Sequence, residues 1–190
     1  MTPDKDPSWK PALKRGPRYV IPFAWLGSRL RRPYDLLALR ELHVAMVCSL
    51  LLLLIAFSFI AGAGRELLVW GWLVLIASAA LALNRIWKWE RRLELATDEM
   101  MAARRYALAY FVRLGMAMTP SLASFALFIL VGGGPEVYLL GVTISEVLLW
   151  RIAPSRSNLA RLTSRYHALG KNIDMTRALI MQGSPRDASE

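Results

Sequence analysis

Two ionisable side chains stand inside long apolar stretches of this chain: Arg113 within ALAYFVRLGMAMTPSLASFALFILV and Glu146 within VYLLGVTISEVLLWRI. A carboxylate in such surroundings can carry a proton or balance a cationic substrate, and a guanidinium can hold it as a fixed ion pair. If the stretches are membrane spans, counting from Tyr106 places Arg113 about 10 Å deep, and counting from Arg151 places Glu146 about 7 to 8 Å deep. A lone charge in hydrocarbon costs at least about 2.5 to 3.5 kcal/mol on insertion scales. The similar depths therefore predict a direct Arg113–Glu146 pair, with a nitrogen–oxygen separation of about 2.7 to 4 Å, locking two neighbouring helices. A proton- or cation-carrying Glu146 is the functional alternative.

Other chemistry is sparse. Cys48 is the single cysteine, which excludes an internal disulfide and a Cys-based metal site. His43 and His167 flank opposite ends of the apolar region, so a His-ligated metal or haem is not expected, and a His at a span boundary reads as interfacial. There is no carboxylate cluster, Ser/His/Asp set, phosphate loop or zinc signature, and neither an enzyme nor a cofactor is expected. Ser121, Ser124, Thr143 and Ser145 suit hydrogen bonding between helices, as small hydroxyls in spans commonly do. Pro120 should bend its helix, because it lacks an N–H and crowds the preceding turn. The Gly-rich stretches at 62–64 and 132–134 read as tight turns rather than ligand loops.

These residues require long helices to position them. The chain combines 55% hydrophobic residues with a formal net charge of +10 over 190 residues. That combination fits lipid-solvated segments separated by basic ones. Apolar runs over about 43–62, 67–84, 107–131 and 137–152 are long enough to cross a hydrocarbon layer of about 30 Å, the fourth only marginally. The links between the first and second, and between the third and fourth, are so short that each pair must form a hairpin. The expected fold is an all-α integral membrane protein of four transmembrane helices in two antiparallel hairpins, with basic amphipathic cytoplasmic segments at both ends. Residues 1–42, 43–153 and 154–190 form the three expected regions, and no secretory leader is expected at residue 1.

Charge distribution predicts orientation. Residues 1–42 hold nine Lys and Arg, residues 84–106 six and residues 151–190 seven, against one at 63–66 and none at 132–136. Positive loops stay in the cytoplasm, which puts both termini and the middle loop inside the inner (plasma) membrane of the cell. Rings agree, with Trp70, Trp72 and Tyr138 near the outer boundary and Trp87, Trp89, Tyr106, Tyr110 and Trp150 near the inner one.

The flanking segments look interfacial. YVIPFAWLGSRLRRPYDLLALREL joins Trp25 to Arg29, Arg31 and Arg32, a composition suited to an anionic leaflet. In the middle loop the second helix should continue to about Leu95, and Thr97 or Asp98 should cap the helix that becomes the third span. The loop charges, Glu90 and Glu94 among them, read as a solvated face. After Pro154, Leu159, Leu162, Tyr166 and Leu169 recur at helical spacing with Arg161 and Arg165 off that face, predicting an amphipathic helix along the membrane or against a neighbour. Nucleic-acid binding is not expected, because topology already accounts for the basic charge. The expected partners are anionic lipids and other membrane protein subunits. The expected role is a non-catalytic accessory or assembly subunit of a larger membrane complex, with a small proton- or cation-coupled transporter or channel using Glu146 as the alternative.

Overall fold

The computed structural model describes residues 8–20, 35–60, 69–131 and 134–181, and no strand occurs among them. Helix α1 (Trp9–Arg15) runs into a 3₁₀ segment (Gly16–Val20). Helix α2 (Leu36–Ile60) begins seven residues before the apolar run that starts at His43. The reason is local. Asp35 accepts the Leu37 N–H on Oδ1 at 3.0 Å and the Leu39 N–H on its carbonyl at 3.0 Å, which satisfies donors of the first turn.

Helix α3 (Val69–Leu93) outlasts its apolar run, as its string of strong helix formers predicts, and unwinds through turn bonds from Glu94 and Ala96 to Arg91 and Leu93. Asp98 caps α4 (Glu99–Ala117), accepting the Met101 N–H at 2.7 Å on Oδ1 and the Ala102 N–H at 2.9 Å on its carbonyl. A single turn residue, Met118, separates α4 from α5 (Thr119–Val131), two residues ahead of Pro120. Helix α6 (Pro135–Ile152) starts on a proline, whose missing N–H costs nothing at a first turn.

Leu36–Phe57, Val69–Leu93 and Glu99–Leu130 are long and apolar enough to cross a membrane. A fourth crossing of that kind requires α6 to be taken with α7 (Arg156–Ala168) across a 51° bend. Alone, α6 carries Glu136, Glu146 and Arg151 within 18 residues. The chain is thus all-helical over the described residues, with three to four helices compatible with a multi-pass membrane protein.

The chain divides into two compact units. One comprises residues 47–89 and 111–152. Within it α5 packs against α6, and Phe57 lies 5.0 Å from Phe125 and 5.3 Å from Tyr138 between ring centroids. The other comprises residues 1–46, 90–110 and 153–190. Here the C-terminal segment forms two helices rather than one: after α7 the chain turns through Gly170, whose φ of 72° suits a residue without Cβ, into α8 (Met175–Met181). Leu159, Leu162 and Tyr166 are buried as their spacing predicts, whereas Leu169 is exposed because α7 ends at Ala168.

Candidate functional site

In the unit of residues 47–89 and 111–152, Arg113 is buried and makes contacts of its own, while Glu146 is half-buried. Among the described residues Glu146 Oε1 is shielded from solvent and has no hydrogen-bond partner. The best-defined polar arrangement lies elsewhere, along the α5–α6 contact. Pro120 donates nothing, and the break at Met118 leaves the Ser121 N–H to seek a new acceptor. Ser145 Oγ on α6 accepts it at 3.0 Å, with both serines buried. One turn earlier on α6, Gly141 faces Ser124 and Pro120 so closely that an added Cβ would overlap the Ser124 side chain and lie 2.7 Å from the Pro120 carbonyl oxygen. Gly141 and Ser145, four residues apart, thus let two backbones approach while a hydroxyl replaces the lost helix bond. Thr143, by contrast, bonds back to Leu139 O on its own helix at 2.8 Å.

In the second unit, the C-terminal segment closes on the end of α3. Arg161 Nη2 lies 2.9 Å and Arg165 Nη1 3.1 Å from Glu90 Oε1, and Arg165 also reaches Glu94 Oε1 at 3.7 Å. Glu90, read from sequence as part of a solvated face, has a side chain only 6% exposed, against 42% and 41% for the arginines. Tyr166 Oη donates to Leu93 O, and Lys171 Nζ donates to Glu94 O at 2.6 Å and Ala96 O at 2.8 Å. Leu93 ends α3 and Glu94 and Ala96 follow it, so these acceptors cluster at the C-terminal end of the helix, where a cation also complements the dipole. Burial pushes the Tyr166 hydroxyl from its ordinary 10.0 up to about 12, with Arg105 pulling it down and Glu94 pushing it up. Arg161 and Arg165 therefore serve a clasp within the chain, although half of each side chain remains accessible to another partner.

The same unit holds a buried polar cluster at the start of α2. Arg40 donates from Nε to Pro154 O at 3.0 Å and sits 5.0 Å from the Trp9 ring centroid, a cation–π distance. His43 Nδ1 lies 3.0 Å from Tyr110 Oη, with Trp9 edge-on at 6.0 Å. Glu41, 2% exposed, accepts from Tyr19 Oη at 3.1 Å and lies 3.7 Å from Arg15. Gly16 packs against Val44, where a Cβ would come within 2.6 Å of the valine side chain. His43 is thus a packed, hydrogen-bonded residue.

Trp25, Arg29, Arg31 and Arg32, expected to meet lipid or a partner, lie outside the described residues. No group of three or more His, Cys, Asp or Glu among the described residues can hold a metal ion. The arrangements found among the described residues interlock helices. No family model, curated protein or solved structure matches this chain.

Sequence reasoning missed Gly141, whose role depends on which helix faces it. It also missed Glu90 and Lys171, whose partners lie 71 to 77 residues away in the chain. A usable signal existed for the first, because Gly141-x-x-x-Ser145 is a small-xxx-small pattern inside an apolar run.

Proposed function

We propose that this chain is a non-catalytic multi-pass membrane subunit that accompanies or assembles a larger membrane protein complex. It inserts through α2, α3, the α4–α5 pair and α6 as two hairpins, with both termini and the α3–α4 link in the cytoplasm. The observation that supports this most is how the helix surfaces are used. Along α3, Trp70, Trp72, Leu73, Val74, Ile76, Leu81 and Trp87 are all exposed, and in Leu36–Phe57, Val69–Leu93 and Glu99–Leu130 at most 39% of the apolar stretch is buried inside the chain. Lipid covers such faces in a lone protein, and another membrane helix covers part of them in a complex. The polar groups at the α5–α6 contact, meanwhile, bond to one another. Extraction in mild detergent followed by native size measurement tests the reading. A species larger than the chain, with co-purifying membrane proteins, is expected, and a strict monomer with no companion counts against it.

A second reading has one observation in its favour, the shielded and unbonded Glu146 Oε1. In it the chain is a small oligomeric transporter or channel whose Glu146 carries a proton or a cation. Proteoliposomes would then show cation- or proton-coupled flux that Glu146→Gln abolishes in a protein that still folds. Flux no greater than in empty vesicles for every cation tried removes this reading.

A further inference from the structure

Between Asp6 and Asp35 the sequence contains no carboxylate but seven cations: Lys10, Lys14, Arg15, Arg18, Arg29, Arg31 and Arg32. The structure sorts the first four by direction. Trp9, Ala12 and Gly16 turn inward onto α2, through the Arg40 and His43 contacts of Trp9 and the close approach of Gly16 to Val44. Arg15 is drawn toward Glu41. Lys10, Lys14 and Arg18 point outward, with exposed Leu13 and Pro17 among them. A helix that docks through one stripe ordinarily leaves a mixed polar face outside. This one leaves a face of cations around an apolar side chain, and Glu41, the carboxylate that Arg15 is drawn toward, is buried.

Its position is also fixed. The inward contacts all fall on Arg40 to Val44, the turns of α2 at which the apolar run begins. If α2 spans the bilayer, those turns lie at headgroup depth, and the outward cations lie there too.

We infer that the outward face formed by Lys10, Leu13, Lys14 and Arg18 is a seat for anionic phospholipid headgroups, with the lipid phosphates between the cations and Leu13 in the acyl boundary. This rests on the reading of α2 as a membrane span. Each cation near an anionic leaflet contributes about 1 kcal/mol, which corresponds to roughly a fivefold preference. Buried packing beneath the face pre-orders its backbone, so little backbone freedom is lost on binding.

The test reconstitutes the full chain in bilayers of phosphatidylcholine with a minor fraction of phosphatidylglycerol and compares spin-labelled versions of the two lipids for association with the protein. The wild-type chain should favour phosphatidylglycerol, and the triple variant Lys10→Gln, Lys14→Gln, Arg18→Gln should lose at least half of that excess. Raising salt to about 0.5 M should reduce it similarly, because exposed charges are screened over a few ångströms there. A fluorophore on Leu13→Cys should be quenched by brominated acyl chains near the headgroups. An unchanged lipid preference in a correctly folded triple variant, or a Leu13→Cys label reached only by aqueous quencher, overturns the inference; the latter, with an acidic protein bound at the site, would assign the face to a protein. Carbonate extraction separates the two readings. A chain released by carbonate contradicts the span itself, whereas a retained chain without lipid preference contradicts only the seat.

Discussion

Replacing Gly141 with alanine tests the α5–α6 contact, because two effects of known size oppose one another there. In a helix interior alanine is favoured over glycine by about 0.8 to 1 kcal/mol, so a lipid-facing or loosely packed Gly141 should be neutral or stabilised by the change. At this position the new Cβ overlaps the Ser124 side chain and comes 2.7 Å from Pro120 O. Rotating the serine hydroxyl cannot relieve a clash with its Cβ or with a backbone carbonyl, so the helices must part. Overpacking of this kind costs about 1 to 3 kcal/mol, which leaves a net loss between about zero and 2 kcal/mol after the propensity gain, and the overlap with two side-chain atoms and a backbone oxygen places it toward the upper end. Ser124→Gly removes two of the three clashing atoms and should recover part of the loss in the double variant, as expected for coupled neighbours. Unfolding in mixed micelles with rising SDS fraction, followed by tryptophan fluorescence or circular dichroism, measures all three variants against wild type. A Gly141→Ala protein as stable as wild type or more so, or a double variant that shows no recovery, refutes the close-packed contact.

Ser145→Ala leaves the Ser121 N–H buried without its acceptor and should cost about 1 to 3 kcal/mol in the same unfolding assay, whereas Thr143→Ala, whose hydroxyl bonds within its own helix, should change little. In the C-terminal clasp, the double change Arg161→Ala, Arg165→Ala should destabilise by about 1 to 3 kcal/mol, since buried Glu90 loses its cations while the arginines, being half exposed, gave up little solvation; faster limited proteolysis after residue 153 is the readout. Tyr166 should resist ionisation, appearing at about pH 12 in ultraviolet titration of the folded chain against its ordinary 10.0. Because its folded pKa is raised, the stability it contributes is fully present below pH 10.0 and is lost as pH rises toward about 12. Arg113→Leu and Glu146→Leu should each lower folded yield, and the double variant should recover part of it if the two charges balance one another in the membrane.

How far the sequence could be read depended on the range of the interactions. The long helices were legible because apolar run length and Asp98 capping are local: Val69–Leu93 and the α4 start fall close to where their residues predict. The start of α2 was missed for a physical reason. Arg40, Glu41 and His43 look like the polar flank of a span, yet all three are buried, because Pro154, Tyr19 and Tyr110 provide partners that residue-by-residue polarity cannot reveal. Leu169 illustrates the same limit at the other end, where helical spacing continued on paper past the turn at Gly170. Of the four hydroxyls read as able to bridge helices, that of Ser145 does so, accepting the Ser121 N–H that the break at Met118 leaves without a helix acceptor, whereas those of Ser121, Ser124 and Thr143 bond back along their own chain segment.

Site-specific photo-cross-linking from the exposed face of α3 in intact native membranes tests the accessory-subunit account most directly. A photoreactive residue would replace Trp72, Leu73, Ile76 or Leu83 in turn, all exposed positions in the structure. The account predicts a discrete protein adduct at a subset of these positions, on one side of the helix, with the same partner recovered each time by mass spectrometry. Lipid adducts alone at every position, in a chain that extracts as a monomer, would contradict it.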